Sequence, residues 1–235
     1  MVDCHPSPIP ANKTKRPSPV MAPKSEDNCN KMAATQVREA LVSAMYMMAM
    51  SRPDIALAVN QVAAYVSNPG PGHWEPVKLI FSYLAGTGNY GIRYGGEMVN
   101  REQSSLQGFT DANFAMDLIA RKSTTGILFQ LFGEPISWGS KRQRATALST
   151  TDSQMYAASE GSREAIWLKT ILGELKIDVG QIPIYCDSQC AISIIENPEN
   201  HQRVKPIWKS DTGYLFHWPF MGATLATPTV ATCIK

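Results

Sequence analysis

Apolar residues recur at helical spacing through residues 33–50, where Val37, Leu41, Ala44, Met45 and Met48 fall on one stripe. That spacing predicts a helix with the methionine-rich stripe in a core. Pro53 suits the first turn of a second helix, over residues 53–66, with Ile55, Val59, Val62 and Val66 inward. The run Ser67-Asn68-Pro69-Gly70-Pro71-Gly72 breaks the pattern. A third helix is predicted over residues 73–84, with Trp74, Val77, Ile80, Phe81 and Leu84 on one side, closed by Gly86 and Gly88. Residues 90–94 read as a short strand.

Beyond a loop at residues 95–105 the period changes from helical to extended. Strands are predicted over residues 106–111, 124–132 and 135–140, the last two joined by a tight turn at Gly133-Glu134. A long helix follows over residues 151–175, with Ser149, Thr150 or Thr151 as its N-cap. A fourth strand over 183–187 and a short helix over 189–196 complete the series. The order β-β-β-α-β-α predicts an α/β domain, a mixed sheet with flanking helices, preceded by a small, mainly helical region. Residues 1–31 carry Pro6, Pro8, Pro10, Pro17, Pro19 and Pro23, which predicts an extended arm without regular structure.

Composition narrows the class without setting the function. The chain has 235 residues, 44% of them hydrophobic, enough for one large or two small folded domains. A net charge of +2 means that any nucleic-acid-binding surface is local rather than global. The five cysteines are scattered and odd in number, which argues for a reduced, intracellular setting rather than a disulfide framework. Cys186 and Cys190 lie four apart, but no other His or Cys pair completes a zinc site, so both read as ordinary thiols. The polar, proline-rich first thirty residues do not resemble a secretory leader. The apolar stretch 40–50 is too short to cross a bilayer, so no membrane partner is expected.

The candidate chemistry lies in two aspartates. Asp111, in GFTDANF, and Asp187, in IPIYCDSQ, each end a strand-like run. Aspartates ending two strands far apart in sequence can converge on one metal ion. Two Mg²⁺ ions held by a carboxylate cluster activate water and stabilise the leaving oxygen of a phosphodiester.

The segments RPDIALAVN, HWEPVKLIFSYLAGTGNYGIRY, GFTDANFA, RKSTTGILFQL, PISWGSKRQ, ALSTTDSQ, EAIWL and PIYCDSQCAI occur in this order. Together they closely resemble the C-terminal end of the pol polyprotein of copia-type long-terminal-repeat retrotransposons, over nearly everything up to residue 205. The resemblance implies that residues 32–100 are the tail of a reverse transcriptase, its thumb or connection region. It implies that residues 105–209 form a ribonuclease H-like domain and that residues 210–235 are an aberrant tail. That family cuts the RNA strand of an RNA–DNA hybrid with two Mg²⁺ ions. The polymerase's Tyr-x-Asp-Asp segment is absent from the chain, so no polymerisation is expected.

By the same resemblance, Asp111 and Asp187 are the family's first and third carboxylates and its metal ligands. The second carboxylate, a glutamate one turn into the long helix, corresponds to Gln154. Asp152 sits two residues earlier, about 200° away around a helix of 3.6 residues per turn. Gln154 shares a face with Ala158, Gly161 and Ala165, whereas Asp152 shares one with Tyr156, Ser159 and Arg163. An amide keeps the shape of glutamate but not its charge, and Mg²⁺ prefers carboxylates. A fourth acid is expected where Trp208 stands; Asp211 comes three residues late. His201 matches a histidine near the product phosphate.

Local basic groups are the remaining candidates. Lys141, Arg142 and Arg144, with Arg121 and Lys122, could sit against a phosphate backbone or simply be solvated. Trp138 and Trp167 read as packing groups. The implied partners are an RNA–DNA hybrid or other nucleic acid, and an upstream pol polypeptide. The expected function is that of a degenerate pol fragment with weak or no hybrid cleavage. The alternatives are a non-catalytic interaction module or an active Mg²⁺-dependent ribonuclease H.

Overall fold

A computed structural model of the chain describes residues 5–12, 16–95, 106–117, 119–196 and 225–226. His201, Trp208 and Asp211 lie outside these residues. The chain divides into two compact units, Met1–Ile92 and Arg93–Lys235.

The first unit packs four helices, α1 (Glu26–Ala34), α2 (Val37–Met50), α3 (Ala56–Ala63) and α4 (Pro71–Gly86). Its core joins Met32, Val37, Leu41, Ala44, Ile55, Val59, Val62, Val77, Ile80 and Tyr83. Two sequence expectations need correcting. The first predicted helix is split at Thr35-Gln36, so the chain is already helical from Glu26, inside the stretch read as an arm. The cause is a cap: the Ser25 side chain accepts from the Asn28 backbone N–H at 3.3 Å. Met45, placed on the inward stripe, is 40% exposed, whereas Val37, Leu41 and Ala44 are buried. Residues 90–94 form no strand.

Two buried polar groups organise this unit. His73 is buried at the start of α4 and stacks on Tyr65 with ring centroids 4.8 Å apart. Its Nδ1 accepts from the Gly70 N–H at 3.0 Å, and its Nε2 lies 2.8 Å from the Ser18 carbonyl oxygen. The imidazole therefore ties the proline-rich segment to the helix it precedes. Arg52, 6% exposed, donates to both Asp54 carboxylate oxygens and to the Thr87 carbonyl and hydroxyl. Tyr83 donates to Asp54 Oδ2 at 2.8 Å and offers its ring face to the guanidinium.

In the second unit β1 (Leu106–Asn113), β2 (Thr124–Leu131) and β3 (Glu134–Arg142) form an antiparallel meander. The long helix α5 (Thr150–Glu174) crosses to β4 (Ile184–Cys186), which pairs parallel to β1, and α6 (Gln189–Glu196) follows. A two-residue strand, β5 (Leu225–Ala226), pairs parallel to β4, giving the order β3-β2-β1-β4-β5. Three antiparallel strands followed by parallel additions beside the first make this a ribonuclease H-like mixed sheet with flanking helices. The far side of β4 is thus paired at Ile184 and Tyr185 by a strand from within the tail.

The hairpin between β2 and β3 turns on Phe132 (φ 54°) and Gly133 (φ 87°), one residue earlier than the sequence implied. Positive φ at both central positions is the type I′ geometry that follows the twist of the strands. The core beneath the sheet joins Leu106, Phe129 and Ile184 to Ala165, Leu168 and Leu172 of α5. Trp167, expected to pack, faces outward and is 55% exposed.

The Arg52–Asp54 pair makes the first unit acid-sensitive. Burial alone would raise the Asp54 carboxyl, but hydrogen bonds from Arg52 and Tyr83 outweigh it and hold the group below its usual range. A carboxyl depressed on folding contributes stability above its unfolded pKa and loses it as pH falls through the folded one. The melting temperature of this unit should therefore fall as the pH drops below about 4. Asp54→Asn should cost about 1.5–3 kcal/mol at neutral pH, with a flatter acid limb in a pH series of melting curves.

Candidate active site

The site begins with a close approach. Gly161 of α5 lies directly over Thr110 of β1: a Cβ at position 161 would fall on Thr110 Cγ2, closer than real Cβ atoms come. The absence of a side chain lets α5 lie low on β1. Along the same face, Gln154, Ala158 and Ala165 are buried, as the helical spacing requires. Gln154 thereby arrives over the end of β1.

Strand pairing supplies the other groups. Thr110 stands opposite Cys186 in the parallel register, and Asp111 and Asp187 are the next residue along from each, Asp111 still within β1 and Asp187 just past β4. Both aspartates are exposed, whereas Cys186 is buried. Gln154 joins them. Its Nε2 donates to Asp111 Oδ1 at 2.9 Å and reaches the Ala112 carbonyl at 3.4 Å. Its Oε1 faces the Cys186 thiol, with Sγ 3.8 Å away. Burial pushes the Cys186 thiol up, and the nearby Asp187 and Asp111 charges push the same way. The thiol therefore keeps its proton and serves as a donor to the amide oxygen.

These contacts decide which end of the amide faces the carboxylate. Reversing it would set Oε1 against Asp111 Oδ1 and the Ala112 carbonyl, two acceptors, and turn the –NH₂ toward the thiol. The observed orientation satisfies both amide hydrogens. Mg²⁺ needs oxygen donors in near-octahedral geometry. Here an N–H, not an oxygen lone pair, points at the Asp111 oxygen. Among the described residues no group of three or more His, Cys, Asp or Glu could hold a metal ion. The described residues do not fit the Mg²⁺ pair that the sequence resemblance implies.

Asp152 is occupied elsewhere. Its backbone N–H donates to the Ser149 hydroxyl at 3.1 Å, and its Oδ2 accepts from the Leu148 N–H at 2.9 Å. It closes the start of α5 as a capping residue. Burial pushes its carboxyl up, against the Leu148 hydrogen bond.

The basic groups divide into committed and free-standing ones. Arg142 Nη1 lies 2.8 Å from Asp117 Oδ2. Asp117 also accepts from the Ile119 and Ala120 backbone N–H groups at 3.0 and 2.9 Å, and so shapes the link between β1 and β2. Burial would raise its carboxyl, but these backbone bonds and Arg142 hold it below its usual range. Lys141, Arg144 and Arg121 are exposed, and Lys122 is half-buried. Arg121 adopts φ 53° in that link.

Two residues that hold the site drew no attention in the sequence. Asp117 is one. Gln143 is the other: it is buried, and its Nε2 donates to Thr125 Oγ1 and to the Ser153 carbonyl, both at 3.0 Å. It pins the end of β3 to the first turn of α5. Its signal was there to find, as the one uncharged residue in Lys141-Arg142-Gln143-Arg144.

No family model matches the chain. It is 43% identical over 198 residues to the retrovirus-related Pol polyprotein of transposon TNT 1-94 from Nicotiana tabacum, covering 84% of this chain and 14% of that one. It is 35% identical over 168 residues to that of transposon RE2 from Arabidopsis thaliana, covering 71% and 11%. A shorter relative, secreted RxLR effector protein 161 of Plasmopara viticola, is 42% identical over 124 residues, covering 53% of this chain and 84% of that one. A solved foamy viral protease-reverse transcriptase in complex with dsDNA aligns with 89% of this chain and 42% of that one, at TM-score 0.45 and 13% identity. The chain thus spans only a small part of the transposon polyproteins it matches. Among the described residues no helix is long and apolar enough to cross a membrane.

The low seat of α5 yields a mutational test. Gly161→Ala should cost about 1–3 kcal/mol of overpacking, offset by up to ~1 kcal/mol of helix propensity. Thr110→Ser removes the methyl group that the new Cβ strikes. The double variant should therefore recover much of the loss in a urea-unfolding cycle, and strict additivity would speak against this contact.

Proposed function

Because the chain belongs to the family of retrovirus-related Pol polyproteins of copia-type transposons, we propose that it is a degenerate pol fragment. In this reading its ribonuclease H-like domain engages RNA–DNA hybrids but cuts them weakly or not at all. The observation that carries the reading is the Gln154–Asp111 hydrogen bond. Hybrid hydrolysis in this family needs charge at the position of Gln154, and the amide supplies none. Among the described residues Asp111 and Asp187 remain as two acids without the rest of the cluster. No proton transfer or water activation follows from them alone, so no cleavage mechanism is assigned to the chain.

A specific feature favours a binding role without catalysis. Lys141 and Arg144 are exposed at the end of β3 and just beyond it, beside the first turn of α5. Phosphate attraction at such a place is independent of sequence and falls with salt. Arg121 and Lys122 extend the same class of contact from the β1–β2 link, while Arg142 spends part of its charge on Asp117.

Two measurements test the reading. Purified chain incubated with a labelled RNA–DNA hybrid and Mg²⁺ or Mn²⁺ should cut at least about a hundredfold more slowly than an intact ribonuclease H. Ordinary cutting that vanishes in Asp111→Asn would overturn it. In a gel-shift titration against salt, K141E with R144E should weaken hybrid retention and flatten the log–log salt slope by roughly 2, one phosphate contact for each residue changed. An unchanged slope would remove these residues from the interface.

A further inference from the structure

The amide of Gln154 does more than fail to be a carboxylate. Two exposed aspartates stand at one level of the sheet: Asp111 follows Thr110 in β1 and Asp187 follows Cys186 at the end of β4, and Thr110 and Cys186 are opposite each other in the parallel register. Gln154 supplies hydrogen-bond donors there without charge: its two N–H bonds point at Asp111 Oδ1 and the Ala112 carbonyl, and its oxygen is held by the Cys186 thiol. Gln154 is 8% exposed, so this donor sits where water competes poorly for it. We propose that the Gln154 amide takes the place of a divalent cation at this site. It occupies Asp111 Oδ1 by hydrogen bonding and makes the folded state independent of metal, and Gln154→Glu converts the same pocket into a site that responds to Mn²⁺.

The geometry accounts for both halves of the proposal. With glutamine, Asp111 Oδ1 is already paired and a cation would have to break a partly buried hydrogen bond to take it. With glutamate, a second carboxylate would face Asp111 with no donor between them, and Asp187 is one residue along the chain from Cys186, which meets the same side chain. The thiol still offers its single hydrogen bond, but the Asp111 and Ala112 oxygens then face another oxygen. Such a cluster is unstable by itself and is stabilised by a hard cation that accepts oxygen donors. The inference rests on the same Gln154–Asp111 contact as the functional reading, yet it concerns metal binding rather than nucleic acid.

The test uses the full chain, with thermal unfolding and Mn²⁺ paramagnetic resonance as readouts. Wild type should shift by under about 1 °C in Mn²⁺ at roughly 10 mM and should leave the free Mn²⁺ signal unchanged. Gln154→Glu should melt lower than wild type without metal, then rise by several degrees, about 4–8 °C, with Mn²⁺ and quench the free-ion signal. Adding Asp111→Asn to that variant should abolish the response. Gln154→Met, which keeps the length but removes the donors, should lower the melting temperature in metal-free buffer. The proposal is overturned by a wild-type shift as large as that of Gln154→Glu, by a Gln154→Glu chain that ignores or cannot be folded by Mn²⁺, or by a Gln154→Met chain as stable as wild type. Mn²⁺ taken up by a wild type that leaves hybrid uncut would sink this inference and spare the functional reading. A metal-indifferent wild type that fails to retain hybrid would do the reverse.

Discussion

The second unit depends on one close contact, the passage of α5 over β1 at Gly161 and Thr110. A helix of twenty-five residues can lie this low on a sheet only where a side chain is missing from its underside. From that contact the rest follows by geometry. Two turns toward the N-terminus the helix delivers Gln154 over Asp111. In the other direction it presses Ala165, Leu168 and Leu172 onto Leu106, Phe129 and Ile184. Hydrophobic burial holds one half of the helix, and the position of the polar half is a consequence. Gln143 and Asp152 then secure the start of the helix, one by bonding across to Ser153 and the other by closing its first turn.

The polar half is organised by matched donors and acceptors rather than by charge. Thiol, amide, carboxylate and backbone carbonyl form a short chain in which each hydrogen has a defined acceptor. Among the described residues, no buried side-chain nitrogen or oxygen lacks a partner. A completed chain of this kind suits a stable domain. It also differs in kind from a carboxylate cluster, which is left electrostatically unfinished until a cation arrives.

Much of the fold was legible because its signals are local. The strands at Leu106–Asn113 and Thr124–Leu131, the helix at Thr150–Glu174 and its Ser149 cap all follow from periodicity and capping chemistry. The convergence of Asp111 and Gln154 was also readable, once helix phase placed position 154 on the buried face. Non-local and side-chain-specific features were harder. The spacing along α2 could not say that Met45 lies at the edge of its stripe rather than within it. The capping of α1 by Ser25 was hidden in a segment whose prolines suggested no structure at all. Gln143 acts through partners ten or more residues away, and Asp117 joins its local backbone bonds to an Arg142 twenty-five residues on, so sequence spacing did not show what either residue holds. The direction of the Gln154 amide depends on a thiol thirty-two residues along the chain.

The tie between His73 and the Ser18 carbonyl bears on where this polypeptide can be trimmed. Ser7 also reaches the chain of α4 through its backbone N–H to the Ser82 carbonyl, and Met21 lies against Gly70 and Gly72. The leading prolines are therefore a clasp along the outside of a helix, not a dispensable leash. Removing them would leave an imidazole nitrogen deep in the bundle with no acceptor and would uncover two glycines that the clasp now shields. An expression boundary drawn at the first obvious helix would yield a bundle missing one of its own walls.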